Sequence, residues 1–188
     1  MANKNESFTG WHVGVAAEAI AASLFARCGL DVSVQYGANQ PEYDLLIVRG
    51  DDILKVSVKG SKDGSWGLTQ SYLPKQKGIK DVPDYHAAID RWLNKHGKKT
   101  VFCFVQFQGV AIDVLPRVYL ASALEVATAL HETTKGRGGT ILYESKTWTD
   151  KAHAAGTVDE IPLAWYFSIA RVEYLLSGSR ISFVEGGS

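Results

Sequence analysis

The sequence predicts an α/β (α+β) fold with a mixed β-sheet. Three observations support this prediction. Apolar residues recur at helical spacing in residues 11–28, two alternating runs at 43–48 and 53–59 flank a turn, and strand and helix patterns then follow one another. The length of 188 residues favours one domain, with flexible ends expected at 1–9 and 185–188.

The first predicted elements are a helix and a short strand. Residues 11–28 carry apolar side chains every three to four positions, and Gly29 is suited to end the helix. Residues 31–35 then alternate between polar and apolar, as expected for a strand, and the segment 37–41 is rich in turn formers.

The clearest strand signal is a β-hairpin. Residues 43–48 and 53–59 form its two strands, and residues 49–52 form the turn between them. The remaining predicted elements are a strand at 65–69, a basic loop at 70–80, a helix at 85–94, a buried central strand at 100–106, a strand at 110–115, a helix at 120–130, a loop at 135–139, a strand at 141–143 and a helix at 163–176.

Charge is balanced overall but not along the chain. Twenty basic residues match twenty acidic ones, so no global field favours nucleic acid or membrane. Residues 55–99 nevertheless contain ten Lys and Arg against four Asp, which predicts either a local basic surface or a set of solvated charges. Trp66, Tyr72, Tyr85 and Trp92 lie among these lysines, where they either stack on bases or belong to the core.

Two cysteines and the hydropathy pattern predict the cellular location of the protein. Cys28 and Cys103 have apolar neighbours and no CxxC spacing, which predicts reduced core thiols in a cytoplasmic protein. Glu18 interrupts the apolar stretch 13–26, and no run approaches the roughly 18 apolar residues that a membrane span needs. We therefore expect a soluble protein without membrane contact.

Several common catalytic patterns are missing. The sequence contains no GxxxxGK[ST], GxGxxG or GxSxG motif. Its five histidines show no metal-ligand spacing, and we expect His86 and His96, which flank a predicted helix, to lie at the surface.

Three charged residues stand out instead. Glu18 is the charged residue of an otherwise apolar helix segment, so it must be paired, protonated, bound to a metal or turned to solvent. Asp44 precedes an apolar strand, and Lys59 ends the next strand. Asp and Lys are also ordinary residues at the ends of strands, and this alone would explain their presence here. Because side chains two apart share a face, Ser57 and Lys59 point the same way.

Together these residues resemble the PD-(D/E)xK nuclease superfamily. The matching motifs are Gly14-x3-Glu18, Tyr43-Asp44-Leu45-Leu46 and Val58-Lys59-Gly60-Ser61, within residues 10–70. They are most similar to small bacterial members of that superfamily. The resemblance implies a restriction-endonuclease-like core with the order α-β-β-β-α-β, here followed by a C-terminal α/β extension.

The resemblance also implies a role for each matched residue. Asp44 would be the principal ligand of Mg²⁺ or Mn²⁺, the Val58 main-chain carbonyl a second ligand, and Glu18 an accessory ligand through water. Lys59 would be the catalytic lysine, because an ammonium group can orient or deprotonate the attacking water and offset phosphate charge. Hard divalent cations take such oxygen ligands and stabilise charge on a scissile phosphate.

Ser57 departs from the superfamily pattern, which has Glu, Asp or, in a minority of branches, Gln at this position. A serine hydroxyl is a weak, neutral ligand, so the catalytic set Glu18, Asp44, Ser57 and Lys59 is one carboxylate short. Three interpretations follow: the site works with Glu18 and Asp44; another acceptor supplies the missing group; or the nuclease fold is inactive. The nearby candidates for the second interpretation are Glu42, Asp63 and Gln35.

The predicted function is a metal-dependent DNA endonuclease or a nuclease-fold DNA-binding protein. The predicted DNA contacts are basic residues of the 55–99 segment, Lys55, Lys62, Lys75, Lys77 and Lys80. The alternatives are a catalytically inactive nuclease-fold binding module, or an unrelated soluble α/β enzyme. A homodimer is compatible with each of these.

Overall fold

The computed structural model describes residues 8–35, 42–73, 84–96, 100–134, 139–149 and 156–184. For residues 134 and 179–184 it describes the main chain only. The helices in this part are Gly10–Arg27 (α1), Tyr85–His96 (α2), Ala123–Thr134 (α3) and Ile169–Val184 (α4). The strands are Asp31–Val34 (β1), Leu45–Arg49 (β2), Asp52–Ser61 (β3), Ser65–Gly67 (β4), Thr100–Gln106 (β5), Arg117–Ser122 (β6), Ile141–Tyr143 (β7), Ser145–Thr147 (β8) and Val158–Glu160 (β9).

Five of these strands form one mixed sheet, in the spatial order β1-β2-β3-β5-β6. β3 pairs in parallel with β5, and the other neighbours are antiparallel. Two small two-stranded sheets, β4-β7 and β8-β9, lie outside it. The order α1-β1-β2-β3-α2-β5 confirms the predicted mixed-sheet fold class, and β6 with α3 begins the C-terminal extension.

The sheet separates two hydrophobic clusters. On the face that we call the α1 face, side chains such as Val56 and Val58 pack with residues of α1 and α4. On the opposite face, the α2 face, Phe102 and Phe104 pack with residues of α2 and α3. Adjacent residues of one strand therefore enter different layers, since side chains alternate between the faces of a sheet.

The predicted hairpin is confirmed. β2 and β3 are antiparallel, with Arg49 opposite Asp52 across a two-residue turn. Gly50, the first turn residue, has a positive φ of 59°, and Asp51, the second, does not, which is the pattern of a type II′ turn. Such a turn follows the right-handed twist of the strands and fixes their register.

The first helix also agrees with the prediction. Thr9 caps it, because the His12 N–H donates to Thr9 Oγ1 and the Thr9 N–H donates to His12 Nδ1. Phe8 packs edge-on against Phe107, with 5.4 Å between ring centroids.

The predicted strand at 110–115 is wrong. The N–H groups of Val110 and Val114 close turns on the carbonyls of Phe107 and Ala111, and Ile112 is fully exposed. The strand that pairs with β5 is instead β6, which begins directly after Pro116. Both segments are apolar, but only β6 finds a hydrogen-bonding partner in the sheet.

The predicted helix at 120–130 begins later, at Ala123. Ser122 caps it: the Glu125 N–H donates to Ser122 Oγ, and the Ser122 N–H donates to Glu125 Oε2. The residues before Ser122 belong to β6, so hydrogen bonding across the sheet outweighs their helical spacing.

The predicted helix at 163–176 is divided. Leu163–Trp165 forms a 3₁₀ turn, and α4 starts at Ile169. Between them the chain is held against β6, since Phe167 N–H donates to the Val118 carbonyl at 2.9 Å and Tyr166 bridges to Tyr119. Pairing with a strand prevents helical hydrogen bonding there.

Some expectations lie outside the described residues. They concern the ends 1–7 and 185–188, the turn segment 37–41, most of the basic loop 70–80, and most of the loop 135–139. Among the helices described, none has both the length and the hydropathy that crossing a membrane requires.

Candidate functional site

The main chain around β2 and β3 places the Asp44 carboxylate against Ser57 and Val58. Asp44 N–H donates to the carbonyl of Val56, the residue that is also the register partner of Leu45, at 2.8 Å. Asp44 Oδ2 accepts hydrogen bonds from the Val58 N–H at 2.6 Å and from Ser57 Oγ at 3.4 Å. The carboxylate is thus held at the open end of the hairpin, where Ser57 lies on the α2 face.

Lys59 lies on the same face, two residues beyond Ser57. Its side chain is half-buried, and its carbonyl accepts a hydrogen bond from Trp66 Nε1 at 2.9 Å. Because the Trp66 side chain is itself buried, this bond anchors the main chain beneath the lysine.

α1 brings Glu18 to the same place. Gly60 lets the helix approach β3 closely: a Cβ at this position would come within 2.8 Å of the Val13 carbonyl and 3.0 Å of the Ala17 Cβ. Glu18, the residue after Ala17, is then near enough to Asp44 and Lys59 for their charges to act on it.

The electrostatics of Glu18 reflect this position. Partial burial raises the pKa of the Glu18 carboxyl above its ordinary value, the Asp44 carboxylate raises it further, and the Lys59 ammonium partly offsets both. A carboxylate pair of this kind gains from a positive charge placed between its members.

Glu18 also lines a surface depression of about 550 Å³. The residues that line it are Trp11, Gly14, Val15, Glu18, Ala19, Ala22 and Val34. The depression opens the carboxyl to solvent on the α1 side.

The four residues of the predicted catalytic set come from α1, from β3 and from the position just before β2. Asp44 and Ser57 are in contact, Val58 contributes a main-chain hydrogen bond to the same carboxylate, and the charges of Asp44 and Lys59 act on Glu18. Their catalytic and metal-binding roles stay predictions.

The donors at this site suit a hard cation but are few. Two carboxylates and a hydroxyl are oxygen donors, and Mg²⁺ is often held by one or two carboxylates with water completing its shell. Within the described residues, no group of three or more His, Cys, Asp or Glu is placed to hold a metal ion. Asp44 and Glu18 are the residues that would hold a cation here.

The three nearby acceptors proposed to replace the missing acid have different surroundings. Asp63 Oδ1 accepts hydrogen bonds from Ser61 Oγ and from the N–H and Oγ of Ser65, which fixes it in the turn after β3. Gln35 contacts Asp44 through its main chain, its N–H donating to the Asp44 carbonyl at 2.9 Å. Glu42 extends toward the C-terminal end of α2.

One residue near the site was missed by sequence reasoning. His96 was expected at the surface, but its side chain is only 13% exposed. Its ring packs against Trp92 and Phe102, with centroids 5.0 and 5.1 Å away. The burial of His96 could have been predicted from Trp92, which lies four residues earlier on the same face of the helix.

The aromatic residues proposed to stack on bases are divided. Trp66 and Trp92 are 3% and 2% exposed and belong to the core on the α2 face, so the base-stacking hypothesis is wrong for them. Tyr72 and Tyr85 are half-buried.

The predicted DNA-contacting lysines are only partly described. Lys55 is exposed on the α2 face, with its Nζ 5.3 Å from the centre of the Tyr43 ring. Lys62 Nζ donates to the Phe8 carbonyl at 2.5 Å, beyond the end of β3. Lys75, Lys77 and Lys80 lie outside the described residues.

The comparisons with known proteins show a distant likeness to a nuclease structure. No protein-family model matches the sequence, and no curated protein matches it. Among solved structures, the chain is similar to a bacterial homing endonuclease, with 15% sequence identity and a TM-score of 0.45 over 94% of this chain and 98% of that chain. At this distance the likeness assigns no activity.

Proposed function

We propose that this protein is a metal-dependent DNA endonuclease of the PD-(D/E)xK type, which hydrolyses phosphodiester bonds. The observation that supports the proposal is the Asp44 carboxylate, held at the open end of the hairpin by the Val58 N–H and the Ser57 hydroxyl, with Glu18 and Lys59 in electrostatic range. Two carboxylates and an amine are the groups that hydrolysis of a phosphodiester needs.

In this proposal each residue has a distinct task. Asp44 and Glu18 hold Mg²⁺ or Mn²⁺, with the Val58 main chain beside them, and the cation when bound stabilises charge on the phosphate. The Lys59 Nζ orients the attacking water and offsets the negative charge that develops on the phosphate oxygens. The Val58 N–H keeps the Asp44 carboxylate in one orientation.

A second function, a nuclease-fold module that binds DNA without cleaving it, is favoured by one observation. Ser57 is 3% exposed and its hydroxyl donates to Asp44, so the position of the expected acid is filled by a neutral side chain. With fewer charges the site would hold a divalent cation more weakly.

The proposal includes a location and a partner. DNA is the partner, and Lys55 on the exposed part of the α2 face is a phosphate contact in the described residues. Free cysteines at 28 and 103 agree with a reducing cytoplasm. A homodimer stays a prediction that sedimentation can test.

Calorimetric titration with Mn²⁺ and plasmid nicking test the function on the wild type, Asp44→Asn and Lys59→Ala. We expect wild-type protein to bind Mn²⁺ and nick the plasmid, Asp44→Asn to lose both, and Lys59→Ala to lose nicking while retaining Mn²⁺.

Two matched controls make this test specific. Asp51→Asn removes an acid from the exposed hairpin turn, and Lys146→Ala removes an exposed lysine of β8 that has no role in the proposal. Lys55→Ala would not serve as the control for nicking, because Lys55 is itself a proposed phosphate contact. Asp51→Asn and Lys146→Ala should keep Mn²⁺ binding and nicking above the level of the site variants. Wild-type protein that binds DNA, does not bind Mn²⁺ and does not cleave the plasmid would establish the non-catalytic module instead.

A further inference from the structure

His96 has an unsatisfied polar atom beside the candidate site. Within the described residues, its Nδ1 is the buried side-chain nitrogen or oxygen that lacks a hydrogen-bond partner. Buried polar atoms are rarely left unpaired, because desolvation without a hydrogen bond costs free energy. A buried ring nitrogen without a hydrogen-bond partner therefore indicates a position where a ligand binds.

The nearest charged group is the Glu42 carboxylate, which does not satisfy it. Glu42 Oε2 lies 3.9 Å from His96 Nδ1, beyond hydrogen-bond distance. The other oxygen, Oε1, is 3.3 Å from Lys95 Nζ. A single carboxylate thus stands between an ammonium group and an imidazole, roughly where an oxyanion would be bound.

The His96 ring lies close to the residues of the candidate site. Phe102, against which the His96 ring packs, is the register partner of Ser57 across β3 and β5. The Ser57 hydroxyl in turn donates to Asp44. His96 therefore packs on the α2 face, against the β5 residue that pairs with Ser57, where the expected acid is replaced by a short serine.

The charges here favour an anion over a second cation. Lys95 and Lys59 both act on His96 electrostatically, with Glu42 as the opposing charge. Burial lowers the pKa of the His96 imidazole, Glu42 opposes this, and the two lysines lower it further. A neutral imidazole keeps one N–H to donate, and lysine is a common phosphate ligand.

We propose that Lys95 and His96 form a binding subsite for a phosphate of the DNA backbone, and that Glu42 occupies this subsite in the free protein. The inference rests on the proposed DNA-binding function and adds a phosphate contact that the sequence did not indicate. On binding, the phosphate replaces the Glu42 carboxylate at Lys95 Nζ and supplies the acceptor that His96 lacks.

The proposal predicts that removing one particular acid strengthens DNA binding. Anisotropy of a short fluorescein-labelled duplex, measured in EDTA so that no metal contributes, compares wild type with Glu42→Gln and Asp51→Asn. Both substitutions remove one negative charge, but only Glu42 lies at the subsite. We expect Glu42→Gln to tighten binding about three- to tenfold and Asp51→Asn to change it little.

Two further variants test the ligands themselves. Lys95→Ala should weaken binding and make the slope of log affinity against log salt shallower by about 0.9. His96→Phe keeps an aromatic ring against Trp92 and Phe102 while removing both ring nitrogens, so it should weaken binding without lowering the melting temperature.

The outcomes separate this inference from the proposed function. If wild type binds the duplex and Glu42→Gln and Asp51→Asn change affinity equally, the subsite is overturned and the proposed function stands. If Glu42→Gln alone tightens binding while no variant binds Mn²⁺, the subsite stands and the metal-dependent activity is overturned. If no variant binds the duplex, both are overturned.

Discussion

Val56 and Ser57 are consecutive residues of β3, and both are buried, yet they belong to different parts of the molecule. Val56 is fully enclosed in the apolar cluster of the α1 face. Ser57 faces the opposite way, where its hydroxyl donates to Asp44 and where Lys59 and His96 lie nearby. One face of the strand stabilises the sheet, and the other positions charged groups.

The difference shows how one strand serves both purposes. Leu54, Val56 and Val58 of β3 are apolar and enter the cluster of the α1 face, so they gain by excluding water. On the other face of the same strand lie Ser57 and Lys59, and the Ser57 hydroxyl donates to Asp44. Introducing the same charge on each face distinguishes the two environments.

The largest effect is expected for Val56→Glu. A carboxylate placed in the apolar cluster has no partner there, so the free energy of unfolding should fall by about 4 kcal/mol or more. Thermal unfolding followed by circular dichroism measures this. Ile53→Glu, on an exposed position of the same strand, is the matched control and should change stability by no more than about 0.5 kcal/mol. Equal losses at the two positions would contradict the comparison.

Ser57→Glu should cost less and respond to metal. In EDTA the new carboxylate lies beside Asp44 and should lower stability by about 2 kcal/mol. Mn²⁺ should recover part of this loss, since a ligand that binds only the folded state stabilises it. Mn²⁺ affinity and plasmid nicking should both exceed those of wild type.

The neutral variant Ser57→Gln is the control for size, and it should not gain Mn²⁺ affinity. If Ser57→Glu unfolds as completely as Val56→Glu, the α2 face is closed core at this point. If it folds normally but gains neither metal binding nor nicking, the non-catalytic module is favoured.

Asp44→Ala should lower the free energy of unfolding less than Ser57→Glu does. Asp44→Asn should lower it very little. Alanine leaves the Val58 N–H without its acceptor, at a cost of about 1–2 kcal/mol. An amide oxygen can still accept this hydrogen bond. Urea unfolding of the two variants measures the difference, and equal stabilities would show that this hydrogen bond does not hold the strand end.

Glu18→Gln should produce the smallest change, with a defined pH dependence. Because the pKa of the Glu18 carboxyl is raised in the folded protein, its charged form is less favourable folded than unfolded. The substitution should therefore stabilise the metal-free protein at neutral pH by about 0.5 kcal/mol.

This gain should shrink as the pH falls through the folded pKa of Glu18, and it should vanish below about pH 3, where wild-type Glu18 is protonated in both states. Urea unfolding at several pH values, in EDTA, follows it. A gain that is independent of pH would show that the carboxylate charge is not its cause.

The sequence by itself determined the features that depend on local pattern. The hairpin follows from alternating residues around a Gly-containing turn, and strand alternation alone places Ser57 and Lys59 on one face. The first helix follows from apolar spacing. The motif residues Glu18, Asp44 and Lys59 could be singled out because each interrupts or ends an apolar run.

Only the tertiary structure decided the features that depend on which partner a segment finds. Residues 110–115 and β6 are both apolar, and pairing with β5 selects β6. Trp66 and Trp92 lie among lysines in the chain but enter the core through packing on the α2 face.

The surroundings of His96 depend on the same kind of contact. α2 packs on β5 and brings this histidine to Phe102, the register partner of Ser57, while Glu42 reaches it and the neighbouring Lys95 from a segment far away in sequence. Local periodicity specifies which way a side chain points on its own element. It does not specify the neighbouring element, because long-range packing free energy, shared over the whole core, selects that neighbour.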